Sequence, residues 1–204
     1  MALSGLAMVG FLIGHISGNL LVFAGPEALN GYAEGLRTYP ELLNVMRAGL
    51  VLMVVIHIYT AVKLTHRNKA ANPNKYHSAH ANSASVASRS MAHTGMVILV
   101  FIIYHLAHYT WRLTHPSFKQ LGPYDAYTMV VESFQSLPLS ALYVVAVGVV
   151  CLHLSHAFQS AFHTLGLSHK KYTPFIKKGG NALSVALFLG FSSIPVAVLL
   201  GIVK

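Results

Sequence analysis

The chain has 204 residues, of which 54% are hydrophobic and only 9% are charged, with a mean hydropathy of +0.57. This balance excludes an ordinary soluble protein, and the length is too short for several domains, so we expect one domain over residues 1–204. The net charge of +9 does not indicate a nucleic-acid partner, because the basic residues fall in short stretches between apolar segments. The composition predicts an integral membrane protein in contact with lipid.

Five apolar segments are long enough to cross about 30 Å of hydrocarbon, which takes about 20 helical residues. In chain order they cover approximately 2–23, 42–64, 91–113, 138–162 and 182–203. Between them lie breaker dipeptides: Gly25-Pro26, Tyr39-Pro40, His115-Pro116, Gly122-Pro123, Thr173-Pro174 and Gly179-Gly180. The polar stretch from Thr65 to Ser90 is interpreted as a loop. The predicted fold is an all-α bundle of five transmembrane helices.

The charges predict which way the bundle faces, because Lys and Arg are retained on the cytoplasmic side during insertion. Nine of the fourteen basic residues lie in or beside the connections after the second and fourth segments: Lys63, Arg67, Lys69, Lys75, Arg89, Lys170, Lys171, Lys177 and Lys178. Every acidic residue lies on the other side: Glu27, Glu34, Glu41, Asp125 and Glu132. We therefore expect a cytoplasmic N-terminus and an outward C-terminus in the inner, cytoplasmic membrane of a cell.

Four histidines, His15, His57, His105 and His153, each lie inside a different apolar segment. An imidazole in hydrocarbon is costly unless it has a partner. At 1.5 Å per residue, His15 and His105 lie roughly 20 Å from the cytoplasmic ends, and His57 and His153 roughly 22 Å from the outer ends. Two pairs at two levels predict two haems, each with two axial imidazoles. Any one of these histidines, taken alone, fits an interhelical hydrogen bond as well.

A zinc or nickel transporter is the alternative that uses the same imidazoles. Such sites usually include carboxylate or thiolate, and no Asp, Glu or second Cys accompanies these histidines in the apolar segments. The single cysteine, Cys151, stands in no C-x-x-C-H motif, so the predicted haems are b-type. One thiol is also too few for an intrinsic disulfide or an iron–sulfur cluster.

Further residues are candidates for contacts with the haems. His108 and His156 each follow a predicted ligand by three residues and share its helix face, as alternative ligands or as hydrogen-bond donors to propionates or neighbouring helices. Propionate carboxylates need cationic or hydrogen-bonding partners. The candidates at the segment ends are Arg47, Ser88, Arg89 and His93, each of which fits an interfacial anchor equally well.

Several stretches carry a resemblance to a known family. They are Met1-Ala-Leu-Ser-Gly-Leu6, Phe11-Leu-Ile-Gly-His15-Ile-Ser-Gly-Asn19, His57-Ile-Tyr-Thr-Ala-Val-Lys-Leu64, Ser88-Arg89-Ser-Met91, Tyr104-His105-Leu-Ala-His108, His153-Leu-Ser-His156 and Ser160-Ala-Phe-His-Thr-Leu-Gly166. One ligand falls on each of four successive helices. Nearly end to end, the chain resembles the di-haem cytochrome b membrane anchor of the succinate dehydrogenase and fumarate reductase family, the succinate:quinone oxidoreductases.

The resemblance implies roles for the histidines and for partner proteins. His15 and His105 would ligate a distal haem, and His57 and His153 a proximal one. A flavoprotein subunit and an iron–sulfur subunit would dock on the cytoplasmic side, and the whole respiratory complex II could form a higher oligomer. The chain would carry electrons between the iron–sulfur subunit and a membrane quinone, menaquinone, in a complex linked to the tricarboxylic acid cycle.

The chain has no phosphate-cradling glycine motif and no cluster-binding cysteines, so we expect it not to act on succinate by itself. A cytochrome b anchor of a hydrogenase or formate dehydrogenase is the alternative with the same conductive role. Quinone reduction consumes protons, so a titratable group is expected near the distal haem. The candidates for the quinone site are Glu34, Glu41 and Arg47.

Overall fold

The structure is a computed structural model that describes residues 1–71, 86–167 and 169–204, without the side chains of residues 69, 71 and 86–89. Its helices are α1 (Ala2–Asn19, extended by a 3-10 turn over Leu20–Ala24), α2 (Pro26–Arg37), α3 (Pro40–Ala71), α4 (Val86–His105, extended by a π turn over Leu106–Thr110), α5 (Ala126–Phe134), α6 (Leu137–Thr164) and α7 (Thr173–Leu199). A short 3-10 helix covers Pro116–Lys119.

Five of the described helices are long and apolar enough to cross a membrane: α1, α3, α4, α6 and α7 with their extensions. No strand occurs within the described ranges. The predicted all-α, five-span bundle is therefore confirmed, and the protein is a multi-pass membrane protein. The predicted first, second and fourth segments lie within or close to α1 with its 3-10 turn, α3 and α6.

The fifth predicted segment begins too late in the sequence. We predicted residues 182–203, whereas α7 starts at Thr173 and ends at Leu199. Pro174 does not break the helix, because the first helical turn needs no backbone N–H from that position. Gly180 lies inside the helix for a packing reason, since an added Cβ would come within 2.9 Å of the Phe158 Cδ1 on α6. Glycine here admits close packing instead of ending the helix.

The interpretation of residues 65–90 as a loop is wrong at both of its ends. Helix α3 continues to Ala71 and α4 begins at Val86, which lengthens both spans beyond their apolar cores. The middle of the stretch lies outside the described residues. The third span also ends earlier than the predicted 113, because α4 widens into its π turn and Arg112 then adopts a left-handed φ of 53°.

Two short helices, α2 and α5, lie at one end of the bundle and were not predicted, since both are too short to cross a membrane. Asn30 on α2 joins them: its Oδ1 accepts a hydrogen bond from the Tyr127 N–H at 2.9 Å, and its Nδ2 donates to Asp125 Oδ1 at 3.3 Å. Asp125 also caps α5 by accepting from the Thr128 N–H. We call this end the α2/α5 end and the other the opposite end.

The five long helices pack unevenly. Helix α6 packs closely on α7 and α4 and also contacts α1, whereas α3 packs mainly on α1 and α2. Within the described part, the backbones of α1 and α4 approach each other at almost no point, and the same holds for α3 and α6.

The glycines of α1 divide between packing and open space. An added Cβ at Gly18 would overlap the ring of Tyr32 on α2, so this glycine is required for the contact. At Gly10 and Gly14 an added Cβ would meet nothing within 4 Å. Helix packing therefore explains Gly18 but not the other two.

Candidate functional site

The four histidines that lie inside the apolar segments form two pairs. His15 on α1 and His105 on α4 lie near the α2/α5 end, with ring centroids 5.9 Å apart and ring planes at 90°. We call them the upper pair. Aromatic rings surround this pair, with Phe11 stacked on His15 at 5.2 Å and Phe101 beside His105 at 5.8 Å. Helix α7 contributes Phe191 against His15.

His57 on α3 and His153 on α6 form the lower pair, nearer the opposite end. Their ring centroids lie 6.5 Å apart at an angle of 61°. Both side chains are half-buried. The structure thus brings together the same two pairs that the depth calculation from sequence predicted, each at its own level.

The spacing within each pair fits two ligands on opposite sides of one metal ion. Metal–imidazole bonds of about 2 Å, with each ring centroid about 1 Å beyond its nitrogen, separate the centroids by about 6 Å. Both pairs also bridge helices whose backbones make little direct contact, α1 with α4 and α3 with α6. Two imidazoles from facing helices are the axial ligand set of many haems, so the residues would fit a haem at each level.

The upper pair contains an unsatisfied polar atom. His105 Nδ1 is buried and has no hydrogen-bond partner within the described part of the chain. Buried polar atoms in proteins are normally paired, so this ring lacks a partner that the chain itself does not provide. Among the described residues, no three His, Cys, Asp or Glu side chains form a group that could hold a metal ion.

Two hydroxyl groups contact the lower pair. Thr94 Oγ1 on α4 lies 2.9 Å from His153 Nδ1, and Ser4 Oγ on α1 lies 3.4 Å from His57 Nδ1. A glycine follows each hydroxyl residue, and each histidine ring rests beside it. An added Cβ at Gly5 would lie 3.5 Å from His57 Cε1, and one at Gly95 would lie 3.7 Å from His153 Cε1.

Ser4 and Thr94 were missed in the sequence, although a signal was present. Met1-Ala-Leu-Ser-Gly5 and Met91-Ala-His-Thr-Gly95 match each other 90 residues apart, and in each copy a histidine follows the hydroxyl residue by eleven positions. Those histidines are His15 and His105, the upper pair. Comparing the first and third segments would have revealed this internal repeat.

His108 is hydrogen-bonded within the protein. It is only 1% exposed, and both of its ring nitrogens are hydrogen-bonded within the protein. Nδ1 lies 2.8 Å from the Tyr143 hydroxyl on α6, and Nε2 lies 3.1 Å from Ser133 Oγ on α5. His108 therefore joins three helices, which corresponds to the interhelical role left open by the sequence.

The remaining predicted haem contacts are less defined. His156 is half-buried on α6, one turn beyond His153. His93 and Arg47 are exposed. The side chains of Ser88 and Arg89 lie outside the described residues.

At the opposite end, a cavity of about 260 Å³ below His57 is lined by Met1, Thr60, Lys63, Leu64 and Arg67. Its two basic groups, Lys63 and Arg67, were not singled out as propionate partners by the sequence reasoning.

The α2/α5 end gathers arginines around one short loop. Arg112 donates hydrogen bonds to the carbonyls of Phe118, Leu121, Gly122 and Pro123. Arg37 also donates to the Pro123 carbonyl and lies over the Tyr124 ring. Partial burial lowers the pKa of the Arg37 guanidinium, and the charges of Arg112 and Arg47 lower it further.

The predicted quinone-site acids, Glu34 and Glu41, are exposed at this end. Glu132, which the sequence also places on this side, is more connected: it accepts a hydrogen bond from Ser117 Oγ, which lies 2.8 Å from His115 Nδ1. His115 Nδ1 also lies 3.9 Å from Glu132 Oε2. Sequence alone gave no reason to place His115 beside Glu132, because Pro116 and a 3-10 turn determine how close the two side chains come.

The fold and the two pairs define a class: a multi-pass membrane protein with two histidine pairs, each bridging two helices at a different depth. No protein-family model, curated protein or solved structure matches this chain. Its resemblance to the succinate:quinone oxidoreductase anchors therefore stays a proposal.

Proposed function

We propose that this chain is the cytochrome b membrane anchor of a succinate:quinone oxidoreductase, with two b haems. The observation that carries the proposal is the presence of two cross-helix histidine pairs, with centroids 5.9 Å and 6.5 Å apart, in one small bundle. When bound, the haems supply one-electron carriers between an iron–sulfur subunit and membrane quinone.

The chain's own residues would bind and orient the haems. His15 and His105 would hold one haem, and His57 and His153 the other. Their half-burial among apolar helices excludes most water, and the aromatic rings around the upper pair fix the directions of its imidazoles. Lys63 and Arg67, which line the cavity near His57, would neutralise carboxylates at the lower level.

The distribution of charge supports a sidedness for this function. The acidic residues belong to the α2/α5 end, whereas the connections at the opposite end carry most of the Lys and Arg. By the positive-inside rule the opposite end lies in the cytoplasm. The flavoprotein and iron–sulfur subunits would dock there, on the side of the lower pair, in the cytoplasmic membrane.

We place the quinone site at the α2/α5 end, on the side of the upper pair. Quinone reduction takes up two protons, and carboxylates exposed at this end, Glu34 and Glu41, are available to deliver them. Arg47 lies exposed on the first part of α3, near the same surface. Menaquinone is the substrate that the family resemblance implies.

The test is a count of haem in the purified chain with its co-purifying partners. Pyridine haemochrome analysis and a reduced-minus-oxidised spectrum should give two protohaems per chain. A co-purifying flavoprotein with succinate–quinone activity would support the family, whereas a hydrogenase or formate dehydrogenase partner would replace it. Absence of a Soret band would overturn the proposal as a whole.

A further inference from the structure

The hydroxyl groups beside the lower pair have only one proton each to donate. Thr94 Oγ1 lies 3.1 Å from the Ser90 carbonyl and 3.1 Å from the Met91 carbonyl, and it donates to this backbone pair. Ser4 Oγ donates to the Met1 carbonyl at 2.9 Å. Carbonyl oxygens only accept hydrogen bonds, so while a hydroxyl donates to the backbone, its oxygen can only accept from a third partner.

The contacts to the histidines have one direction when both hydroxyls keep their bonds to the backbone. Each hydroxyl oxygen then acts toward the imidazole as an acceptor. In that arrangement Nδ1 of His153, and Nδ1 of His57 in the longer contact, carries the hydrogen and donates it. In a neutral imidazole the other nitrogen, Nε2, is left unprotonated and free to bind a metal.

We propose that Ser4 and Thr94 are positioning residues that hold His57 and His153 in the Nε2-ligating tautomer before any haem binds. The inference rests on the proposed function, because it concerns the same histidines. It goes beyond that function in assigning a preset ligand geometry to the lower pair alone. Ligand histidines in metalloproteins usually donate their second N–H to such an acceptor, which raises the basicity of the ligating nitrogen.

The surroundings of the upper pair have the opposite character. His105 Nδ1 lacks a partner among the described residues. The neighbour of His15 is Asn19 Nδ2, a donor group, at 3.4 Å and 3.5 Å from the two ring nitrogens. No hydroxyl acceptor is recorded at either ring within the described ranges. In the lower pair, by contrast, the electron donation of the histidines to a bound metal depends on hydroxyl groups that a substitution can remove.

Two further facts support an assigned role over a chance contact. Both hydroxyl residues are buried, Ser4 at 4% and Thr94 at 8% exposure. They also occupy equivalent positions in the repeated sequence, each followed by the glycine on which the histidine ring rests. The same device therefore occurs twice in the chain, once for each histidine of the lower pair.

The test is a potentiometric titration of the purified complex with both haems present. Thr94→Val removes the acceptor while keeping the side-chain shape, which lowers electron donation by His153 and favours the reduced state. We expect one of the two reduction waves to move to higher potential while the other stays. The moving wave should be the one that His153→Ala abolishes. Thr94→Ser restores the hydroxyl and should return the wave to its wild-type position.

Ser4→Ala should shift the same wave by less, because its contact is 3.4 Å rather than 2.9 Å. Ser184→Ala is the matched control: this buried hydroxyl on α7 bonds the Gly180 carbonyl, and no contact with a histidine is recorded for it. Haem affinity in Thr94→Val should fall about tenfold or more, as in other losses of such partners.

The two proposals fail in different ways. If the wild-type complex holds two haems but Thr94→Val leaves both waves in place, the positioning role is wrong and the function stands. An equal movement of both waves, or the same shift in Ser184→Ala, would also overturn the role by showing a general effect on folding. A wild-type complex without haem removes the proposed function first.

Discussion

The upper and lower pairs have similar ring separations, yet their surroundings differ. At the lower pair, hydroxyl oxygens lie beside both Nδ1 atoms. At the upper pair the rings pack among aromatic side chains, and one buried nitrogen has no partner in the described structure. The comparison teaches that equal spacing of two histidine pairs does not imply equal surroundings. The spacing follows from helix position, whereas the polar contacts at each ring depend on single side chains.

The same two helices serve both levels. Helix α1 carries His15 for the upper pair and Ser4 against the lower pair, and α4 carries His105 and Thr94 in the same order. Eleven residues separate hydroxyl and histidine in each case, about 16 Å along a helix axis. A repeated helix can therefore supply a ligand at one depth and an orienting group at another.

The largest expected effect comes from removing a ligand. His15→Ala or His105→Ala should abolish the upper haem and leave the lower, and His57→Ala or His153→Ala should do the reverse, because the pairs lie at separate levels. Haemochrome analysis should then give one haem per chain. His163→Ala, at an exposed position on the same helix as His153, is the control and should keep two. Loss of both haems in every ligand variant would contradict the independence of the two levels.

A smaller effect is expected at the surface beside the upper pair. If Glu34 or Glu41 delivers protons to quinone, its change to Gln should lower quinone turnover by about 10²-fold, a typical contribution of general acid–base catalysis. Haem content and both reduction waves should stay unchanged, since these side chains are exposed. Glu27→Gln is the control on the same helix as Glu34. Full turnover in both variants would move the search to Glu132 and His115.

The membrane spans and the histidine pairs could be predicted from the sequence because both follow from counting residues along a helix. Apolar length defines a membrane helix, and the helical rise gives the depth of each histidine. The same counting misplaced the start of α7, because Gly180 looks like a breaker until Phe158 is seen against it. It also missed α2 and α5, which are too short for a span signal.

Contacts between distant residues were beyond sequence reasoning. His108 was placed near the haems by its spacing from His105, but its nitrogens bond Tyr143 and Ser133, 35 and 25 residues away. No pattern in a single sequence identifies such hydrogen-bond partners. Ser4 and Thr94 are the intermediate case, since the repeat marks them as equivalent and only the structure shows what they contact.

The smallest effect concerns the network behind the upper pair. Ser133 Oγ donates to the Met129 carbonyl, so it accepts from His108 Nε2, and His108 Nδ1 accepts from the Tyr143 hydroxyl. Tyr143→Phe leaves that buried Nδ1 unsatisfied, which should cost about 1–3 kcal/mol in free energy of unfolding. Denaturant titration in detergent measures this loss.

The same variant distinguishes the two levels. The Tyr143 ring lies 6.0 Å from that of His105, so Tyr143→Phe should disturb the wave assigned to the upper pair and leave the lower wave in place. Tyr127→Phe is the control, because the Tyr127 hydroxyl bonds the exposed Lys204 carbonyl and its loss should change stability by about 0.5 kcal/mol or less. If Tyr143→Phe moved only the lower wave, the aromatic side chains around the upper pair would have no effect on the reduction potential of that level. The contrast between a pair controlled by hydroxyls and a pair controlled by packing would then fail.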